Sequence, residues 1–275
     1  MKSKKQLLFL LLIVWMAAAT QTYAQKSEVE SLFHDLEAMD AGTPATFDKA
    51  DPVLERLVRS NRENVLRALP VIIQATSDPH LSVRRVAAMA LYRITTRPDG
   101  QALLSAETVT FSALLTDPDI PIRRITGFAI ANLRPDANSP LVPVLQSYLA
   151  RQDAVSTIGA GVATVLMKAA PNDANSTNAV VQYMRRKDQT SASRSILLNA
   201  ISNVARSHSR EIGKEVASYA DDPSEQTSVL AIGTLQSMGK DVVLDSQQSL
   251  SRIAADTSRT PSVRAAARKA LTTAQ

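Results

Sequence analysis

Aspartates recur along this chain at intervals of 34 to 39 residues, and each precedes a stretch whose apolar residues have helical spacing. When these stretches are aligned on a common reference position, the residue eight positions later is always aliphatic. Positions 0, 4, 7, 8 and 11 share one face of a helix with 3.6 residues per turn. Such a period predicts stacked helical units, each of which buries the apolar face of its neighbour. The aspartates are Asp78, Asp117, Asp153, Asp188, Asp222 and Asp256. The reference residues are Val83, Ile122, Ile158, Ser193, Thr227 and Val263, and the aliphatic residues are Leu91, Ile130, Leu166, Ile201, Leu235 and Leu271.

The segments between these helices are also apolar at helical spacing, so each predicts a partner helix. Turn segments rich in Pro, Asn and Gly separate the units, among them RPDG, RPDANSP and APNDANS. Only 4% of the residues are aromatic and 8 are glycine, which favours close-packed helices over a sheet. The sequence therefore predicts an all-α fold, a right-handed α-solenoid of about six antiparallel helix pairs over residues 62–275. The predicted partner helices are 63–76, 105–116, 140–151, 176–187, 210–220 and 246–255.

The residues before Arg62 fit the period poorly. They predict two more helices, at about 27–39 and 46–59, which the sequence DAGTP separates. The terminal unit of a solenoid has to cover an apolar face that would otherwise be exposed. We therefore expect residues 25–61 to form an N-terminal helical capping segment on the first repeat.

Residues 1–24 have the layout of a secretory signal peptide. Lysines at positions 2, 4 and 5 precede an apolar run from Leu7 to Ala19, and Ala24 stands at a plausible cleavage site. The run of 13 apolar residues is short for a membrane span, which needs about 20. We expect cleavage, no membrane span afterwards, and a periplasmic or secreted location. The alternative is that the segment stays as an anchor.

The net charge and the absence of cysteine argue against some classes of partner and site. The 31 Lys and Arg exceed the 26 Asp and Glu by five, but three of those lysines lie in the predicted signal segment, which leaves +2. So small an excess does not indicate a nucleic-acid partner, which calls for a clustered basic surface. The chain has no cysteine, which excludes disulfides and thiolate metal sites.

The repeated pattern DP…VRR.AA.AL resembles the HEAT repeat family. The match is strong at Asp78–Leu91 and Asp117–Ile130 and good at Pro261–Leu271, and it weakens in the three middle units, where Gly159 and Ser228 replace the arginine. The related HEAT-like repeats of bilin lyases have shorter units, so the spacing of 34 to 39 residues argues modestly against that variant. The resemblance implies a stack of helix pairs over residues 62–275 that acts as a binding scaffold.

Two kinds of repeated residue have expected structural roles. A carboxylate at a helix start accepts hydrogen bonds from free backbone N–H groups, so we expect the repeated aspartates to cap the second helix of each pair. The resemblance implies that arginines one position after the reference residue stack with the aspartates in an inter-repeat ladder. These arginines are Arg84, Arg123, Arg194 and Arg264.

The outward face of each second helix carries the predicted partner site. Offsets 2, 6 and 9 from the reference residue point away from the core. In the first two units they hold Arg, Met and aromatic residues, which are enriched at interface cores. In the later units they hold Ala160, Thr164 and Met167, then Ser195, Asn199 and Ser202. We predict a site for a protein or peptide partner on the concave side of the early units, unless the N-terminal helices cover it. The predicted partner-binding residues are Arg85, Met89, Tyr92, Arg124 and Phe128.

No motif in the sequence indicates catalysis, a cofactor or a metal. The histidines, His34, His80 and His208, lack a partner histidine at helical spacing, so each is expected at the surface. The sequence TIGAGVATVL at 157–166 contains Gly159 and Gly161 but lacks the strand and third small residue of a dinucleotide fingerprint. Inside a helix, these glycines predict a close helix contact or a kink.

The sequence thus predicts an exported scaffold that is not an enzyme and that binds a protein partner non-covalently. Two alternatives stay open at this stage. One is a HEAT-like lyase or accessory protein of chromophore attachment, which would need an acid, a base or a histidine in its groove. The other is a purely structural module in envelope assembly.

Overall fold

A computed structural model describes residues 26–39, 41, 43–204 and 210–274, apart from the side chain of Pro44. Over these ranges the chain consists of helices and loops without a strand, as the sequence predicts. The chain divides into two compact units between Leu104 and Ser105. The predicted signal segment, residues 1–24, lies outside the described residues, and so does His208. No described helix is both long enough and apolar enough to cross a membrane.

The first unit contains five described helices, which are α1 (26–37), α2 (Pro44–Arg59), α3 (Arg62–Ala75), α4 (Leu81–Thr95) and α5 (Gly100–Leu104). Helix α4 packs against both α2 and α3. It also meets α1, where the Ser82 hydroxyl donates a hydrogen bond of 2.6 Å to the Leu36 carbonyl oxygen. The two helices predicted before Arg62 are therefore present and lie in one unit with the first repeated pair. Helix α5 is not predicted, because its sequence begins in the RPDG turn.

The second unit is a series of helix pairs. The first helices of the pairs are α6 (Thr108–Leu115), α8 (Leu141–Ala150), α10 (Ala174–Met184) and α12 (Arg210–Tyr219). The second helices are α7 (Ile120–Leu133), α9 (Ser156–Ala169), α11 (Ser191–Val204) and α13 (Glu225–Met238). The last pair joins a broken first helix, α14 (Lys240–Asp245) and α15 (Gln247–Ala255), to α16 (Pro261–Ala274). Second helices pack side by side in chain order from α7 to α16, and the first helices from α6 to α12 do the same.

The aligned positions form the core. All six reference residues are buried, and the residues four positions later are at most 1% exposed. Among the residues eight positions later, those from Leu91 to Leu235 are fully buried, whereas Leu271 in the last described helix is half-buried. The helical period of the sequence therefore identifies the core correctly, and burial falls only at the end of the stack.

Three buried tyrosines recur in the first helices of the second unit at intervals of 35 and 36 residues: Tyr148, Tyr183 and Tyr219. The Tyr219 hydroxyl donates to the Met184 carbonyl oxygen at 2.7 Å, and the Tyr183 hydroxyl donates to the carbonyl oxygen of Ser156. Burial raises the pKa of each phenol, so the three side chains stay neutral. Tyr183 and Tyr219 thus tie their helices to the end of a neighbouring helix, and this second repeat signal was not predicted from the sequence.

The predicted role of the aspartates is wrong in detail. Asp78, Asp117 and Asp222 stand two residues before the N-cap residues of α4, α7 and α13, whose backbone N–H groups donate to them at 2.7–2.8 Å. The aspartates therefore shape the turn that leads into the helix. In α7 the capping carboxylate is that of Asp119, which accepts from the Ile122 N–H at 3.1 Å.

The arginine ladder is confirmed where Arg194 pairs with Asp222, whose carboxylate is buried. Arg123 instead donates to the carbonyl oxygen of Asp153, at 3.3 Å. Two turn arginines that were not predicted make the stronger contacts between neighbouring repeats. Arg259 donates to the carbonyl oxygens of Asp221 and Asp222, both at 2.8 Å. Arg186 likewise donates to the carbonyl oxygen of Arg151, one repeat earlier, at 2.9 Å. These bonds satisfy carbonyls that end the preceding helix.

Acid is expected to destabilise the protein through these turns. Hydrogen bonds from Arg151 and Arg186 hold the pKa of Asp153 and of Asp188 below the usual 3.8. A lowered native pKa stabilises the fold above about pH 3.8, and this contribution is lost as the pH falls through the lowered value. Melting temperatures recorded between about pH 2 and pH 6 should decline at the acid end. The variant D153N/D188N should show a shallower decline, and an unchanged slope would contradict this account.

Candidate binding groove

A groove of about 880 Å³ lies along the outward faces of α7, α9 and α11 in the second unit. Its volume is in the range of small-ligand and peptide sites. Helix α7 contributes most of one wall, α9 the other, and α11 a single side chain. The lining residues from α7 and its C-terminal turn are Arg124, Gly127, Phe128, Ala131, Arg134 and Pro135. Those from α9 and α11 are Thr157, Ile158, Gly161, Thr164, Val165, Lys168 and Ile196.

The surface of the groove is mostly apolar, and two of its large apolar side chains are exposed. Phe128 is 57% exposed and Ile196 is 41% exposed, although both occur in helices with fully buried inner faces. Val165 and Ile158 complete the apolar surface between them. Contiguous exposed apolar area of this kind marks interaction sites more often than isolated apolar residues do.

Three cations surround the apolar surface: Arg124, Arg134 and Lys168. All three are exposed, and none forms an ion pair with any residue that the structure describes. The described lining includes no acidic side chain. Several arginines elsewhere in the same unit are held by carboxylates, as Arg185 is by Glu215 at 2.7 Å. The groove is therefore electropositive and has no internal partner for its charge.

Arg134 adopts the left-handed backbone conformation, with φ 47° and ψ 57°, as the C-cap of α7. Gly or Asn usually occupies such a position, because a Cβ there costs about 1–2 kcal/mol. No other described residue except glycine has a positive φ. A long cationic side chain thus projects over the groove from a backbone position that disfavours it.

The structure brings two of the five predicted binding residues together. Arg124 and Phe128 lie on α7 and line the groove. Arg85, Met89 and Tyr92 lie on α4 in the first unit, are half-buried and are not among the lining residues. Helix α2 packs against α4, and the ion pair between Arg93 and Asp51 fastens it there, which explains their partial burial.

The outward face of α9 differs from the prediction. Ala160 and Met167, at offsets 2 and 9, are 0% and 3% exposed. Helix α9 contacts α7, α8, α10 and α11, so its buried arc is wider than that of an isolated helix pair. The side of α9 that lines the groove therefore includes Gly161 and Lys168, which were not predicted as outward residues.

The described lining of the groove contains no histidine, carboxylate or cysteine. Of the histidines, His34 lies near Glu37 at 3.4 Å, and the His80 ring nitrogen lies 2.9 Å from an Asp78 oxygen, both at the surface. Among the described residues no three potential ligands cluster as a metal site would require.

Comparisons with known proteins agree with this architecture. The HEAT repeat family model matches residues 68–97, which cover the C-terminal half of α3 and all of α4. The chain is similar to the archaeal HEAT-like repeats protein from Thermococcus onnurineus NA1, with 15% identity over 90% of this chain and 96% of that one, at a TM-score of 0.56. It is also similar to an engineered protein, with 19% identity over 90% of this chain and 68% of that one, at a TM-score of 0.53. No curated protein sequence matches it. The chain therefore contains a HEAT repeat and has the fold of a HEAT-like helical repeat protein.

Proposed function

We propose that this chain is an exported HEAT-repeat scaffold that binds a protein partner non-covalently through the groove of α7, α9 and α11. The observation that carries the proposal is the exposed Phe128 in an apolar surface lined by unpaired cations. Arg and aromatic residues dominate the energetics of protein interfaces when they lie in a concave apolar site. The proposed site keeps Arg124 and Phe128 of the predicted set, extends to α9 and α11, and leaves out Arg85, Met89 and Tyr92 of α4.

Binding is favoured over chromophore attachment at this groove. A lyase needs a group that transfers a proton to or from the substrate. The groove lining supplies only arginine, lysine, threonine and apolar residues. The arginines and the lysine can hold an anionic partner by charge.

The proposal of export rests on residues 1–24, with their three lysines, apolar run and small residue at the cut. We expect the mature protein to begin at Gln25. N-terminal sequencing of the protein recovered from outside the cytoplasm tests this directly. Recovery of a chain that begins at Met1 and sediments with membranes would support a retained anchor instead.

Site-specific crosslinking tests the groove, since a chain without cysteine accepts a single engineered thiol. The T164C variant, labelled with a benzophenone maleimide, should form a discrete protein adduct in the secreted or envelope fraction. The same label on A113C, at an exposed position of α6 outside the groove, should not form it.

The double substitution R124E/F128S should abolish the adduct, because it reverses one charge and removes the most exposed ring. Both side chains are exposed, so helical circular dichroism and the melting temperature should stay unchanged. The matched control V109S/K214E replaces another exposed apolar residue by serine and another exposed cation by glutamate, and it should leave the adduct intact. An adduct that survives R124E/F128S would refute the groove as the site.

A further inference from the structure

Two glycines in the middle of neighbouring helices line the groove without being required by the packing of the chain. A Cβ added to Gly161 would meet nothing within 4 Å, and one added to Gly127 would meet only Ile158 Cγ2, at an ordinary 3.8 Å. A mid-helix glycine destabilises its helix relative to alanine. Gly159, in the same helix as Gly161, is required by packing, because a Cβ there would collide with Tyr183. Gly233 in α13 is as free of contacts as Gly161 but lies outside the groove, so the position of Gly127 and Gly161 in the groove, rather than their lack of contacts, distinguishes them.

The missing side chains expose the backbones of α7 and α9 to whatever occupies the groove. Close approach of another main chain is a recognised use of glycine. Gly127 and Gly161 stand on opposite walls. An occupant at this point can therefore lie deeper in the groove than two alanines would allow.

The cations are spread along the groove rather than gathered at one point. Arg124 and Arg134 are ten residues apart on α7, which corresponds to about 15 Å along the helix axis. Lys168, near the C-terminal end of α9, joins Arg134 at one end because the second helices run in the same direction. An extended peptide covers about 15 Å with about five residues. A fatty acid, in contrast, carries one anionic group and would satisfy one end only.

We propose that the groove binds an extended peptide segment of about five residues with acidic side chains at both ends and apolar side chains between them. The carboxylates pair with Arg124 at one end and with Arg134 and Lys168 at the other. The apolar side chains contact Phe128 and Ile196, and the peptide backbone passes over Gly127 and Gly161. This inference rests on the proposed function and names the chemistry of the partner.

Selection from a phage-displayed library of random peptides tests the charge of the occupant. Peptides enriched on the purified protein should carry more Asp and Glu, and less Lys and Arg, than the input library. Affinity of the consensus peptide for R124E/R134E/K168E should fall at least about tenfold, and raised salt should weaken binding to the unaltered protein. The matched control K187E/K214E/K269E makes the same change in net charge at exposed lysines outside the groove and should bind within about twofold.

Substitution of the glycines tests the close approach of the backbone. G127A/G161A should melt about 2–4 °C higher for each substitution, yet bind the consensus peptide at least about tenfold more weakly. A structural role for these glycines predicts the opposite change in melting temperature. Unimpaired binding by this variant would overturn the inference that the peptide backbone passes here.

Other outcomes identify a different occupant. Enriched peptides without an acidic excess, or equal binding by the groove triple variant, would overturn the proposal. So would a selection without enrichment, including one in which the protein instead binds oleate or vesicles of phosphatidylglycerol. If the T164C adduct is lost in R124E/F128S but persists in R124E/R134E/K168E, the groove remains a protein site and only the acidic peptide is excluded.

Discussion

Replacing Gly159 with alanine is expected to lower the free energy of unfolding by about 2 kcal/mol, although alanine is the better helix former. The added Cβ would lie 2.4–2.7 Å from ring and hydroxyl atoms of Tyr183. That ring is fully buried, and its hydroxyl donates to the Ser156 carbonyl oxygen, so it cannot turn aside without losing the bond. Overpacking and a lost buried hydrogen bond each cost about 1–3 kcal/mol, which exceeds the helical gain of about 1 kcal/mol.

The matched control for this variant is G161A, two residues along the same helix. Its Cβ meets nothing within 4 Å, so it should raise stability by about 1 kcal/mol. Urea unfolding followed by circular dichroism should thus show shifts of opposite sign for two chemically identical substitutions. In the Y183L background, G159A should cost much less, because the ring that it meets is gone. Equal shifts for the two glycines would contradict the close contact between α9 and α10.

The two glycines also show which structural roles can be predicted from the sequence and which cannot. Their presence in the helical sequence TIGAGVATVL predicted a close helix contact or a kink, and Gly159 confirms the contact. Nothing in the sequence distinguishes Gly159 from Gly161, because the difference depends on Tyr183 of the neighbouring helix. The same reasoning applies to the recurring tyrosines, because the roles of Tyr183 and Tyr219 depend on the helix ends that accept their hydrogen bonds.

The residues of the groove were likewise predicted only in part. Helical period placed Arg124 and Phe128 on the outward face of α7, because that face is determined by the buried residues of the same helix. Arg134 and Lys168 were not predicted because a left-handed C-cap places Arg134, and contacts of α9 with four other helices decide which of its residues stay exposed. Tyr92 and its neighbours on α4 were placed outward although α2 partly covers that helix. Which helix covers which face depends on contacts distant in sequence, and a single period does not encode them.

Replacing Leu166 with alanine should cost about 3 kcal/mol, within the usual range for a fully buried leucine. Leu166 occupies the repeat position eight residues after the reference residue, is 0% exposed, and sits in a helix with second helices on both sides. The cavity left by its side chain would therefore be enclosed and poorly filled by relaxation. Urea unfolding should show the loss as a lower midpoint with an unchanged slope.

The control L271A makes the same substitution at the same repeat position of α16, the last described helix. Leu271 is half-buried, since α13 packs on one side of α16 and no second helix follows it among the described residues. Its removal should cost about 1 kcal/mol, because less apolar area returns to water and no enclosed cavity forms. The two losses of unfolding free energy, compared with each other, show how much of the stability at this repeat position comes from the neighbouring repeat rather than from the helix pair itself. Equal losses would mean that each pair is stabilised on its own, and the dependence of one repeat on the next would then be wrong.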